Sequence, residues 1–247
     1  AVKFDTERAM LHVEALTATA LDGREIGSPG ASRAAEYVAQ QWKSVGLQPA
    51  GDGGSYFLAS RGGFERITET PVLWLDDGGE LLQYGSDFAE LAGRFRCAGQ
   101  ADGAVRFVSF GLSPSARKLA VSEFAKLDLS RDVVLVLSQE EADILDGKAC
   151  AAVLVVASDP EAIARSLILS PESRLDPALV GTNFASTVAD RPTLWVSEQT
   201  AKRLLTGSGW ELKSLRQAAT AVGERDVLTF ELPRRAAIRV EGEVHDD

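Results

Sequence analysis

Residues 133–158 read VVLVLSQEEADILDGKACAAVLVVAS, two apolar runs on either side of a charged connection. Val133–Leu137 and Val153–Val156 are continuous rather than alternating, the pattern of strands covered on both faces. Asp143–Ala149 is expected to form a short helix leading into the second strand, and Glu140 and Glu141 to sit in an exposed loop as solvated carboxylates. Further β-type runs lie around this unit: PVLWL (Pro71–Leu75), VRFVSFGL (Val105–Leu112) and PTLWVS (Pro192–Ser197). Helices fit at Glu161–Leu167 and at Glu198–Leu205, the second ending at Gly207. Turn-rich loops such as DDGGE (Asp76–Glu80) and GQADG (Gly99–Gly103) separate the runs. Strands with few intervening helices imply an α/β (α+β) sandwich or open barrel with flanking helices rather than a doubly wound sheet. Asp226–Val244, with LTFELP and AAIRVEGEV, alternates like exposed-edge strands.

The N-terminal part has a different texture. In LDGREIGSPGASRAAEYVAQQWKSVGL (Leu21–Leu47) a loop runs into a helix. Ser28 is placed to cap it, and Pro29 suits the first turn, where a missing N–H is harmless. Ala35, Val38, Trp42 and Val45 recur at spacings of three and four and are expected on its inward face. Gly46 stops the helix, with Leu47 folding back as in a glycine C-cap. Asp5–Leu16 is a second helix, capped by Asp5 or Thr6, with Met10, Val13 and Leu16 inward. GDGGS (Gly51–Ser55) is a turn, and Tyr56–Ser60 is expected to be a short strand broken by Arg61-Gly62-Gly63.

The chain has 247 residues, 45% hydrophobic and 25% charged, enough to bury a sizeable core without disulfides. Its 36 acidic against 26 basic residues give a net charge of −10, which repels phosphate backbones and argues against nucleic acid as a partner. No apolar run is long enough to span a bilayer. The sequence opens at Ala1 without a charged-then-apolar leader, so a signal peptide is expected to be absent or already removed. Cys97 and Cys150 are read as buried thiols; a disulfide between them stays open, because their separation fixes no geometry.

The catalytic inventory is empty, and neither a catalytic, a cofactor-binding nor a metal residue is assigned. His12 and His245 are the only histidines. A lone His12 beside a helix stripe reads as a surface or satisfied core residue. His245-Asp246-Asp247 spells His-x-Asp but follows polar alternation, not a buried strand. There is no Gly-x-Ser-x-Gly elbow, Cys97 and Cys150 lack a histidine partner, and Gly23–Gly30 is too irregular to cradle a phosphate. Asp76 and Asp77 lie in a turn that hydrogen bonding and solvation explain.

The wording of the N-terminal segment is informative in another way. His12-Val13-Glu14-Ala15-Leu16, then LDGREIGSPG, then GLQPAGDGGSYF resembles the N-terminal segment of the co-catalytic zinc aminopeptidases, the family of bacterial leucine aminopeptidases, glutamate carboxypeptidase II and the transferrin receptor. There the segment is scaffold and holds no zinc. The later order is similar to the protease-associated (PA) domain that many members carry as an insertion. An aromatic-rich strand (Phe107–Gly111) is followed by a Leu-Asp turn and a valine-rich strand (Leu127–Leu137). A hydrophobic strand (Lys148–Ala157) and a proline-led strand with Ser197 opening a helix complete the series. Val108-Ser109-Phe110-Gly111 stands where the family usually has a Val-Gly-Tyr-Gly type ending.

The resemblance implies three segments: scaffold at 1–63, a PA domain at 64–225, and return strands at 226–247, with Tyr56–Ser60 and Ala236–Val244 neighbours in a truncated peptidase sheet. It implies an exported parent enzyme whose two zinc ions belong to a peptidase region this chain lacks, with no cofactor in these residues. The implied role is non-catalytic, gating peptide substrates or holding protein partners. The expected partners are the remainder of the peptidase domain, peptide or protein substrates, and, through exposed strands, a second copy. A stand-alone binding module is the alternative.

Overall fold

A computed structural model describes residues 5–24, 28–58, 63–76, 79–91, 98–110, 121–145, 148–159, 161–168, 191–221 and 227–246. The chain divides into two compact units, Ala1–Arg61 and Gly62–Asp247.

In the first unit, helix α1 (Thr6–Thr17) is capped by Asp5, whose carboxylate accepts from the Arg8 N–H at 3.0 Å. Helix α2 (Pro29–Ser44) is capped by Ser28, which accepts from the Ala31 N–H at 3.1 Å. It ends as expected. Gly46 has φ +79, Leu47 N–H donates to the Trp42 carbonyl, and Gly46 N–H donates to the Lys43 carbonyl. That pair of bonds is the Schellman arrangement, which only a residue tolerant of positive φ completes without strain. The inward faces differ from expectation. The side chains of α2 that become buried are Ala34 and Ala39, while Trp42 and Val45 remain 45% and 56% exposed. On α1, Met10 and Val13 are exposed and no residue is buried. Tyr56–Leu58 is not a strand; Gly51–Ser55 forms a tight turn, and residues 59–62 lie outside the described ones.

The second unit is built on strands β1 (Gly63–Ile67), β2 (Val72–Leu75), β3 (Glu80–Leu81), β4 (Phe88–Glu90), β5 (Gly99–Ser109), β6 (Leu129–Val136), β7 (Cys150–Val156), β8 (Thr193–Val196), β9 (Leu228–Val240) and β10 (Gly242–Asp246). Helices α3 (Val121–Lys126), α4 (Gln139–Ile144), α5 (Glu161–Ile168), α6 (Glu198–Leu205) and α7 (Leu212–Thr220) accompany them. Eight strands form one sheet in the order β3-β2-β9-β5-β6-β7-β8-β4; β5 to β8 are parallel, and the flanking pairs are antiparallel. β1 and β10 form a separate antiparallel ribbon, with Gly63 opposite Asp246 and Ile67 opposite Gly242.

The eight-stranded sheet curls into a half-barrel, and its connectivity requires it. β3 and β4 lie at opposite edges, yet only residues 82–87 join them. Seven Cα steps from Leu81 to Phe88 reach at most about 25 Å. Eight flat strands at a spacing of about 4.8 Å would hold those edges about 34 Å apart. The edges are therefore drawn together around one core of Leu73, Leu75, Phe88, Phe107, Leu135 and Leu154, onto which α6 and α7 pack Leu204 and Leu215. Helix α6 fastens the short connection: the Ser197 N–H and the Thr200 hydroxyl both donate to the Asp87 carbonyl, at 2.8 and 2.9 Å.

Successive crossovers from β5 to β8 step the same way, which places their helices on one face. Phe124 of α3 and Ala142 of α4 accordingly pack with Val108, Val134, Val136 and Val153, while Ala162 and Ile163 of α5 pack beside Trp195. The winding never reverses, so the parallel strands have no topological switch point, the usual ligand crevice of doubly wound sheets.

Three readings of the C-terminal and central stretches change. β9 is no edge: it runs unbroken through Pro233 between β2 and β5. Ala236 faces Leu75 and Gly103 rather than Tyr56–Ser60, and Val244 pairs with Glu65 of β1. The central helix is Gln139–Ile144, beginning four residues before the expected Asp143 because Ser138 caps it. Glu140 and Glu141 are thus helical, not in a loop.

Candidate functional site

Residues of catalytic type are dispersed. His12 Nδ1 lies 2.8 Å from the Tyr37 hydroxyl, a satisfied pair within the first unit. His245 stands in β10 opposite Phe64. Cys150 is half-buried at the start of β7, and Cys97 lies outside the described residues. Asp76 occupies its turn with φ +55 and holds the Arg234 guanidinium, while Asp77 lies outside the described residues. Among the described residues, no group of three or more His, Cys, Asp or Glu side chains is placed to hold a metal ion. No helix among them is long and apolar enough to cross a membrane.

The sequence reading missed the buried carboxylate that organises the ends of the parallel strands. Glu141 is 2% exposed. Its Oε1 accepts from the Ser109 hydroxyl at 2.6 Å and the Phe110 N–H at 3.0 Å; Oε2 accepts from the Leu137 N–H at 2.9 Å. One side chain on α4 thus ties the end of β5 to the end of β6. Burial pushes the Glu141 carboxyl above the usual carboxylate range; the three donated hydrogen bonds pull it partly back, and the neighbouring Glu140 adds to the rise. A sequence signal for it exists in Ser138-Gln139-Glu140-Glu141, the S-x-x-E of a capping box. Here the Ser138 hydroxyl accepts from the Glu141 N–H at 3.4 Å, but the carboxylate reaches one residue further back and across to β5. A second buried acid, Glu90 at the β4 edge, accepts from the Tyr84 hydroxyl at 2.6 Å. Both carboxylates hold strands in place, and neither lines the hollows found among the described residues.

Open hollows lie on both units, three of them lined by aromatic or aliphatic side chains. In the first unit a hollow of about 370 Å³ is bordered by Trp42, Leu47, Tyr56 and Leu58. Leu58 is 80% exposed there, and Trp42 is only partly covered by Tyr56, at 6.4 Å between ring centroids. A cavity of about 480 Å³ sits at the C-terminal ends of β7 and β8, between Ser158, Ile163 and Ser197. The third, of about 550 Å³, lies at the α6–α7 turn around Trp210.

Comparison of the chain with protein-family models finds no match, and comparison with curated protein sequences finds no significant relative.

Proposed function

We propose that Gly62–Asp247 is a PA-type domain inserted into the scaffold of a zinc aminopeptidase, that Ala1–Arg61 is part of that scaffold, and that the chain serves without catalysis. The two zinc ions and the general base of such an enzyme would belong to peptidase residues outside this sequence, and the parent enzyme would be exported. The role is to restrict which peptides reach a cleft and to hold protein partners.

The observation that carries this reading is the β1–β10 ribbon. Gly63 and Asp246 face each other, so the chain enters and leaves the second unit side by side. That is the geometry a host fold needs to accept an inserted domain at one loop. The uncovered apolar residues of the first unit, Trp42, Val45, Leu47 and Leu58 among them, agree with a scaffold fragment whose remaining cover is another part of the peptidase.

The test is to read the gene beyond the codon for Asp247. An open frame continuing into a hydrophobic strand, then His-x-Asp and later Glu-Glu, is the expected result. A stop codon there overturns the insertion reading and makes the chain a free-standing binding module.

A further inference from the structure

The cavity at the α6–α7 turn leads to a conclusion that does not depend on the reading above. Its floor is rigid and aromatic. Trp210 stacks on Phe230 at 5.6 Å with an interplanar angle of 15°, and Phe230 in turn lies 5.3 Å from the buried Phe107. The turn that carries Trp210 is fixed by two glycines of positive φ, Gly207 (+84) and Gly209 (+80). It is braced by Ser208, whose hydroxyl donates to the Leu205 carbonyl at 2.7 Å and accepts from the Trp210 N–H at 3.1 Å. An aromatic ring held this way loses little freedom when a ligand packs on it.

The rim is basic in an acidic protein. Lys202 and Lys213 line the cavity with Leu205, Leu212 and one acid, Glu211. Among the described residues neither lysine is in an ion pair, although the chain carries ten more acidic than basic side chains; Arg203 and Arg216, on the same two helices, are both paired to carboxylates. The first turn of α7 opens onto the same cavity and adds the positive end of a helix dipole. The surface is thus apolar at the centre and net positive at the edge, against a repelling background of −10.

We infer that this cavity is a docking site for an acidic peptide segment, with an aromatic or leucine side chain on Trp210 and flanking carboxylates facing Lys202 and Lys213.

The test uses the full chain, ¹⁵N-labelled, and two blocked tetrapeptides, Glu-Phe-Leu-Glu and Lys-Phe-Leu-Lys. The Trp210 indole N–H resonance is assigned through Trp210→Phe. The acidic peptide should shift that resonance saturably and the basic one should not. Lys202→Glu with Lys213→Glu, both at exposed positions, should weaken the acidic peptide about tenfold and leave the unfolding midpoint in place. Raising the salt from low to physiological strength should weaken it further. Equal response to both peptides, absence of a Trp210 shift, or full affinity in the double reversal would each overturn the proposal. A reading frame that stops at Asp247 would leave it intact.

Discussion

Glu141 offers the sharpest test of how the sheet is held together. Glu141→Ala removes the only acceptor that the described residues give to the Phe110 and Leu137 N–H groups, both buried in the protein. The Ser109 hydroxyl can turn elsewhere; the two amides cannot. A buried donor left without a partner costs about 1–3 kcal/mol, so two of them, less the relief of no longer burying a carboxylate, give a loss of about 3 kcal/mol. That is a large share of the roughly 5–15 kcal/mol that holds a domain folded. Urea unfolding in a Trp42→Phe background reads the second unit through Trp74, Trp195 and Trp210. Amide hydrogen exchange at Phe110 and Leu137 reports the same bonds directly. A loss below about 1 kcal/mol, with exchange at both amides unchanged, would refute the account of Glu141 as the tie between β5 and β6.

The same residue fixes a pH dependence. Burial raises its pKa in the folded chain, so the folded state holds the proton more tightly than the unfolded state. The stability linked to that proton is complete below the ordinary glutamate value of about 4.3, and it is lost as pH rises through the folded value. Glu141→Gln does not titrate. The difference in stability between the natural chain and this variant should therefore shift in the variant's favour as pH rises across that window, and level off above it. A difference that moves the other way would mean the hydrogen bonds, not desolvation, dominate.

Other expectations concern packing, polar ties and the uncovered surface. A Cβ on Gly103 would lie 2.3 Å from the Arg131 carbonyl oxygen of β6, so Gly103→Ala should destabilise by about 2 kcal/mol or more in the same urea assay. Thr200→Val removes a fully buried hydroxyl that donates to the Asp87 carbonyl and should cost about 1–2 kcal/mol. Arg203→Ala breaks longer, partly exposed contacts to Glu80 and Asp87 and should cost under about 1 kcal/mol, a contrast readable by thermal melting. The apolar hollow in the first unit should promote self-association at high concentration, measured by light scattering and reduced by Trp42→Ser with Leu58→Ser; a concentration-independent monomer would contradict this.

Most of the second unit was legible because its strands obey one rule. Val133–Leu137 and Val153–Val156 lie at the centre of a sheet covered on both faces, so their apolar residues run without interruption. Helix α6 was legible from Ser197 and Gly207, which mark its two ends. β9 broke the rule. Its second half alternates because one face, with Ala236, Ile238 and Val240, enters the core, while Arg235 and Arg239 point away; Arg235 pairs with Asp102. Alternation therefore looked like an edge, although the strand has neighbours on both sides. Pro233 added to the impression, since proline usually marks an edge. It is tolerated here at an irregularity: the pairing register with β5 shifts between Ala104 and Arg106, opposite residues 231–235.

The first unit was misread for the opposite reason. Its helix caps are local chemistry, and Ser28, Pro29 and Gly46 act as their types require whatever surrounds them. Burial is not local. Trp42 and Val45 have the spacing of an inward face, but spacing states only that residues share a side, not that anything lies against it. Their exposure, with Leu47 and Leu58 beside them, therefore leaves a question that stability measurements on the chain alone can answer. If this face is the broken edge of a larger fold, Trp42→Ser should cost less than about 2 kcal/mol, well short of a fully buried tryptophan, because the side chain is 45% exposed here. A loss of more than about 2 kcal/mol would show that Trp42 already has its partner within the chain, and would remove the uncovered scaffold as a support for the insertion reading.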